Sequence, residues 1–502
     1  MTNQNKLTTM NNLLSVALFF AIAIRALALP STGSNNLMTT PGVSFSQSGN
    51  TLTFNAPDKA ILNWNNFGSG TDTIAIGDTL KYDLPNARAS VLNIVAGQNN
   101  TTINGYVESN GNVFILNPNG IVIGGGARID TAGLVLSTVD NPFAAQMKFL
   151  ENGTIPSQAG TRSASGTTTI QNGAILVTPN ITVLTKDITM GGVLTGGNLT
   201  IQADGAVTLG NAAAPAFISG DLVVNNPTGN TTLGLPQAIV GANNSITITS
   251  TTGNVVNQTG SRINTRNLTI NTGGDVTLGA VTTNAITANG KNVSVAFESV
   301  ATATFNGSAA NNLAVTAPSF LTLGKVTGQS AGNYSFTAGS TLTLGNVHLD
   351  VTGATSFTGT RVVDSSDGVF VYGPTAFTAT AGDIVVTKAN HSFGPLSLSA
   401  TGNATVFEAG ATNLNVVNVK ELALKTGEFF FQTANTAALV ATKLNLTSLG
   451  NVTFSTGTIG AGGLTINAGA GNVDLSRLSL ATNLGGVAPV VTTTGTVTQP
   501  VQ

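Results

Sequence analysis

The sequence predicts an all-β chain, a right-handed parallel β-helix built as a single-stranded solenoid. Composition and an internal repeat carry that prediction. Only 8% of the 502 residues are charged while 41% are hydrophobic, which excludes disorder driven by charge. Thr and Val are abundant and favour strands, while 59 glycines and many Asn favour turns. The phrase (V/L/T)TLG recurs with its last residue at Gly210, Gly234, Gly279, Gly324 and Gly345. The long steps read as two units of about 22 residues, with Asn254–Gln258 and Thr302–Phe305 as strands at the skipped positions. A second phrase, NLTI or SITI, stands at Asn198–Ile201, Ser245–Ile248 and Asn267–Ile270. One unit is therefore strand, Gly-containing turn, strand, turn. Such a rung buries its inward face only by stacking on its neighbours, which is the β-helix solution. Leucine-rich repeats and β-propellers are set aside because their signature residues are missing.

Charge and cysteine usage narrow the function. A net charge of −2 and a pI near 5.7 give no electrostatic reason to expect nucleic acid or an anionic membrane as a partner. With no cysteine, disulfides, thiolate metal sites and cysteine nucleophiles are excluded.

The N-terminus reads as a signal peptide, residues 1–28. Lys6 precedes the apolar run Leu13–Ile24, and Ala26 and Ala28 supply the small-x-small cleavage pattern. The run is too short to span a bilayer stably, and Arg25 is the one unusual residue before the cut. Val43–Phe54 reads as two strands joined at Gly49-Asn50, and Ala60–Trp64, with the chain's only tryptophan, as another. Asn104–Ile129 holds three more. Inside it, Asn117-Pro118-Asn119-Gly120 lies between Val113–Leu116 and Ile121–Ile123 and fits a type I turn. Residues 140–166 break the rhythm, with one or two helical turns over Ala144–Leu150. Repeats follow to the end, where TTTGTVTQPVQ looks like the start of a further rung, as in a short or truncated exoprotein.

Three phrases carry a family resemblance. GVSFSQSGNTLTFNAPDKAILNWNNF (Gly42–Phe67), ASVLNIVAG (Ala89–Gly97) and INGYVESNGNVFILNPNGIVIGGGARIDTAGLVLSTVD (Ile103–Asp140) resemble the secretion domain of filamentous-haemagglutinin-like exoproteins of two-partner secretion. The resemblance covers about a fifth of the chain by motif. It implies a secretion domain of β-helical fold over residues 29–165, followed by a repetitive β-helix over 166–502. It also implies Sec export, then passage through a dedicated outer-membrane transporter bearing POTRA domains. Outside the cell the chain would act as a secreted or surface-exposed adhesin or haemagglutinin, meeting a host or neighbouring cell surface or glycan. Asn117, Pro118, Asn119, Gly120, Ile121, Asn93 and Trp64 are the matching candidates for transporter recognition. Two departures stand out. Ile94 replaces the family's arginine after Asn93, and a separate Asn-Pro-Asn-Leu element is absent.

No catalytic, cofactor or metal residues emerge, and the chain is expected not to be an enzyme. The only histidines, His348 and His391, are 43 residues apart; as two rungs, that would set them on one face about 10 Å apart, too far to share a metal. DSSDG (Asp364–Gly368) is a candidate calcium turn but lacks the glycine-aspartate nonapeptide of calcium β-rolls. Asp350, Asp364, Asp367 and Lys388 near the histidines form no cluster of acids with a base. A carbohydrate-active β-helix and a passive surface fibre are the alternatives. Asn-x-Thr triplets such as Asn198-Leu199-Thr200 are formal glycosylation acceptors that an Asn- and Thr-rich chain produces by chance.

Overall fold

A computed structural model describes residues 29–500 except 33–35, 68–71, 158–160, 193, 212–214, 284, 299–301, 367, 432–438, 455–457, 460–462, 479–483 and 485–486. The expected signal peptide, with Ala26 and Ala28, lies outside the described residues. By compactness the chain divides at Asp204/Gly205.

In the first unit, short strands stack in parallel register. Leu62, Asn93, Ile115 and Leu136 form one inward row. Ile61, Leu92, Phe114 and Val135 form the neighbouring outward row of the same four strands. That outward row is buried as well, except that Val135 is half-buried, because the helix Pro142–Asn152 lies over it and packs Ala145 and Phe149 against Ile61, Leu92, Ile94 and Phe114. Burial on both faces explains why these strands read as continuous apolar runs instead of alternating.

The helix is longer at both ends than the sequence reading, and its flanks say why. The Asn141 side chain accepts the Ala144 N–H at 3.0 Å, Pro142 occupies the first turn, and Gly153 closes the helix at φ 72°. The Lys59 ammonium donates to the Leu150 and Glu151 carbonyls, both at 3.1 Å, at the negative end of the helix dipole.

Among the described residues, antiparallel strand pairing lies at the start of this unit, apart from a single bridge between Val139 and Arg162. Leu37–Thr39 runs against Ala60–Trp64, and Ser44–Ser48 pairs with Thr51–Asn55 across Gly49, the hairpin read from the sequence. Thr51–Asn55 then joins Thr79–Asp83 in parallel, so the hairpin covers an edge that would otherwise offer free N–H and C=O groups.

The second unit is a parallel β-solenoid. One ladder runs through Val207, Thr231, Val255, Val276, Val293, Leu313 and Tyr334. Another runs through Leu222, Ile246, Leu268, Ile286, Phe305, Leu323 and Leu344. This corrects the repeat alignment. Asn254–Gln258 does fill the rung between the TLG phrases at Gly234 and Gly279. The TLG phrases ending at Gly324 and Gly345, however, belong to the ladder of SITI and NLTI, beside Thr302–Phe305. An alternating strand ended by Gly suits any face, so the phrase does not identify one.

Corners explain the Asn and Gly content. The Asn254 N–H donates to Asn230 Oδ1 at 2.9 Å, Asp275 N–H to Asn254 Oδ1 at 2.8 Å, and Asn292 N–H to Asp275 Oδ1 at 3.2 Å. The series continues from Asn312 to Asn292, Asn333 to Asn312, and Ala354 to Asn333. Each rung thus satisfies a backbone donor of the next at the bend, where the strand ladder is interrupted. Beside this series, a Cβ on Gly253 would run into the Gly229 carbonyl, so only glycine fits. Inside, Phe336, Phe357 and Phe377 stack with centroids 5.3 and 5.1 Å apart.

Candidate functional site

The Asn117–Gly120 corner is a built turn. Gly120 N–H donates to the Asn117 carbonyl at 3.1 Å, closing a β-turn, and Asn119 N–H donates to Asn117 Oδ1 at 2.9 Å. Asn117 Nδ2 donates to the Asn99 carbonyl at 2.8 Å and to Thr101 Oγ1 at 2.9 Å. Asn119 Nδ2 donates to the Gly97 carbonyl at 2.6 Å. Both asparagines therefore tie this corner to the preceding rung, residues 97–101. Asn117 is 0% exposed, while Pro118 and Asn119 are half-buried. Gly120 has φ 137°, and a Cβ there would sit 2.9 Å from the Thr167 carbonyl, so this position needs glycine. Ile121 follows Gly120 in the next strand, Gly120–Ile123, and is buried between Thr101 and Thr168.

Asn93 and Trp64 meet in the core. Trp64 Nε1–H donates to Asn93 Oδ1 at 3.1 Å, the Tyr82 hydroxyl donates to the same oxygen at 2.8 Å, and Asn93 Nδ2 donates to the Phe114 carbonyl at 3.2 Å. All three side chains are fully buried. Phe54 stacks on Tyr82 and meets Trp64 edge-on, each at 5.7 Å. Burial pushes the Tyr82 phenol far above its usual range, and the Asn93 hydrogen bond only partly opposes this. Tyr82 was not singled out in the sequence because nothing local marks a tyrosine 11 residues away as the partner of Asn93. Ile94, at the family's arginine position, is 3% exposed under the helix. An apolar residue is what that contact requires.

The structure also reassigns the histidines. His348 pairs in register with Phe370, and Phe370 with Ser392. His348 is exposed and His391 is 0% exposed, so they do not share a face. His391 instead meets Asp364, Nε2 to Oδ2 at 2.8 Å, while its Nδ1 accepts the Val369 N–H at 3.1 Å. With Nδ1 occupied by a backbone amide, this pair has no hydroxyl nucleophile to activate. Asp364 Oδ2 also accepts the Thr387 and Lys388 N–H groups, at 2.8 and 2.5 Å, so it is a structural acceptor and not a free calcium ligand. Asp367 lies outside the described residues. A buried carboxyl that the sequence did not mark is Glu408, 5% exposed, which accepts the Phe393 N–H at 2.7 Å and the Thr412 hydroxyl at 2.5 Å. Burial pushes it up to about 7, against the opposing effect of those two hydrogen bonds. Among the described residues, no group of three or more His, Asp or Glu side chains is placed to hold a metal, and no helix is long and apolar enough to cross a membrane.

A parallel β-solenoid whose N-terminal region combines a capped edge, a covering helix and an asparagine-built corner defines a specialised β-helical domain. Residues 30–278 match the TPS secretion domain family, and the chain belongs to the exoproteins of two-partner secretion. Two heme/hemopexin-binding proteins of Haemophilus influenzae, one from strain Rd, are similar to it, at 39% identity over 83 residues and 34% over 79. Each alignment covers 16% of this chain and 8% of the relative, so the chain spans a small fraction of those proteins. A solved structure, the HMW1 secretion domain from Haemophilus influenzae, is similar at 16% identity, covering 82% of this chain and 99% of that chain, with a TM-score of 0.28.

Proposed function

We propose that this chain is a secreted or cell-surface exoprotein, exported by an outer-membrane transporter with POTRA domains. In this reading residues 1–28 are its signal peptide, residues 29–165 serve export, and the repeats from 166 onward form an adhesive surface. The family match over residues 30–278 is the observation that carries the export half. The adhesive half is supported by the outward positions of the repeat strands, many of which carry exposed Thr, Ser or Asn, such as Asn264, Ser294, Thr316 and Thr327. In this reading the chain acts by binding. What the heme/hemopexin-binding relatives bind is not carried over, because the matched share of their length is small.

Co-expression with the cognate transporter tests the export half. The whole chain should reach the medium or the cell surface, and a chain lacking residues 31–140 should stay in the periplasm. Normal release of the shortened chain would sink that half. Purified chain that is retained on no host or neighbouring cell would favour a passive fibre instead.

A further inference from the structure

Among the described residues, exposed rings are few on the repeats' outer faces, Phe217 and Phe320 standing alone, and at one place three rings gather. His348 and Phe370 are cross-strand neighbours in register, ring centroids 5.5 Å apart, and Tyr372 meets His348 edge-on at 5.9 Å. Tyr372 is 54% exposed, His348 is exposed and Phe370 is half-buried. Along the same face, Thr327 lies beside His348 and Gln329 beside Asp350, all four outward and exposed. Neighbouring outward positions are set by strand geometry, about 4.8 Å across the ladder and about 7 Å along it. Three rings thus form a stepped aromatic platform, Phe370 and Tyr372 inclined at 51° and 71° to the imidazole, rimmed by a hydroxyl, an amide and a carboxylate.

We propose that this platform binds a neutral polysaccharide, with a pyranose ring laid on Tyr372 and Phe370. This deepens the adhesive reading above and rests on it for biological meaning. A pyranose has a C–H face that packs on an aromatic ring and a rim of hydroxyls that both donate and accept. Tyr372 and Phe370 offer the ring faces. Asp350 accepts, Gln329 does both, and the imidazole of His348 holds the two rings in place. A protein partner would call for a larger apolar centre, which the surrounding Thr and Gln do not supply. Single-stranded nucleic acid would call for a basic track beside the rings, whereas Asp350 occupies that rim and the chain is net negative.

The test uses the whole secreted chain on columns of immobilised cellulose, chitin, mannan and xylan, followed by calorimetric titration with the hexasaccharide of whichever retains it. Wild type should be retained by at least one. Tyr372→Ala should weaken binding tenfold or more with an unchanged melting temperature, Tyr372→Phe should keep most of it, and Phe217→Ala, at an exposed ring elsewhere, should change nothing. Retention on none of the four, or equal binding by Tyr372→Ala, overturns the proposal. So does a dimer that Tyr372→Ala dissolves, since the rings would then serve a second copy. Cell adherence separates the two readings. If Tyr372→Ala binds sugar as wild type does while wild type adheres to cells, the platform is wrong and the adhesive reading stands. If wild type binds sugar but no cell, the platform stands and the adhesive reading falls.

Discussion

Trp64 and Asn93, 29 residues apart, are joined by an indole hydrogen bond of 3.1 Å inside the secretion domain, with the Tyr82 hydroxyl on the same acceptor. One amide oxygen therefore satisfies the two largest polar-tipped side chains of that core. Replacing Asn93 by Ala leaves a buried N–H and a buried O–H without partners, each costing about 1–3 kcal/mol. Chemical denaturation of Asn93→Ala should show a loss of about 3 kcal/mol. A loss below about 0.5 kcal/mol, the size of an ordinary surface substitution, would mean that water or another group takes over the acceptor.

The Asn117 corner gives a prediction that separates folding from recognition. Asn117→Ala removes three hydrogen bonds, one fully buried and two part-buried, and should destabilise the domain by about 2–4 kcal/mol, while Gly120→Ala adds backbone strain of about 1–3 kcal/mol. Both should lower the melting temperature of refolded protein and reduce secretion together. If Asn117→Ala melts as wild type but is not secreted, the transporter reads this side chain directly, before the domain folds around it.

Ile94 allows a family residue to be restored against its surroundings. Ile94→Arg would place a guanidinium among Phe149, Phe114 and Leu116 with no counter-charge in that cluster, costing several kcal/mol or displacing the helix. Hydrogen exchange across residues 142–152 should rise sharply. Unchanged protection there would show that the arginine reaches solvent along the helix edge.

Glu408 sets a pH dependence with a defined sign. Its carboxyl titrates near 7 in the fold and near the ordinary 4.5 when unfolded. Between those values the folded chain holds a proton that the unfolded chain has lost, so stability falls as pH rises from about 4.5 to about 7 and is level above. The size is about 3 kcal/mol, from 1.36 kcal/mol per pKa unit. Glu408→Gln keeps hydrogen-bonding atoms without the titration. The wild type minus Glu408→Gln difference in unfolding free energy, measured from pH 4 to 8, should trace this fall, and a flat difference would contradict it.

The strands were legible because alternation is local: TLTF and LTIN declare their inward residues without reference to the rest of the chain. The helix was legible in its middle, and its ends are written in the cap residues Asn141-Pro142 and Gly153. Register was another matter. Rungs on one ladder range from 24 residues, Val207 to Thr231, to 17, Val276 to Val293. Dividing a sequence distance by 22 therefore gives the right number of turns and the wrong face. Counting two rungs from His348 lands on Ser392, and the one-residue offset sends His391 into the core. The Asp364–His391 pair and the Trp64–Tyr82–Asn93 group were hidden for the same reason, since both join residues across rungs of unequal length. The Asn117–Gly120 turn was legible as a turn, but its buried amide contacts with Gly97, Asn99 and Thr101 were not.

The run of side chains from Asn230 to Asn333, amides but for the carboxylate of Asp275, behaves like a zip fastener. Each tooth grips only the one before it, and every tooth engages in the same way. Whole rungs can be gained or lost without leaving a backbone group stranded, whereas cutting half a rung leaves both an idle acceptor and an idle donor at one bend. Length then becomes a quantity that duplication can change in fixed increments, and the distance from the Asn230 corner to an outward residue such as Tyr372 can change without redesigning a single contact.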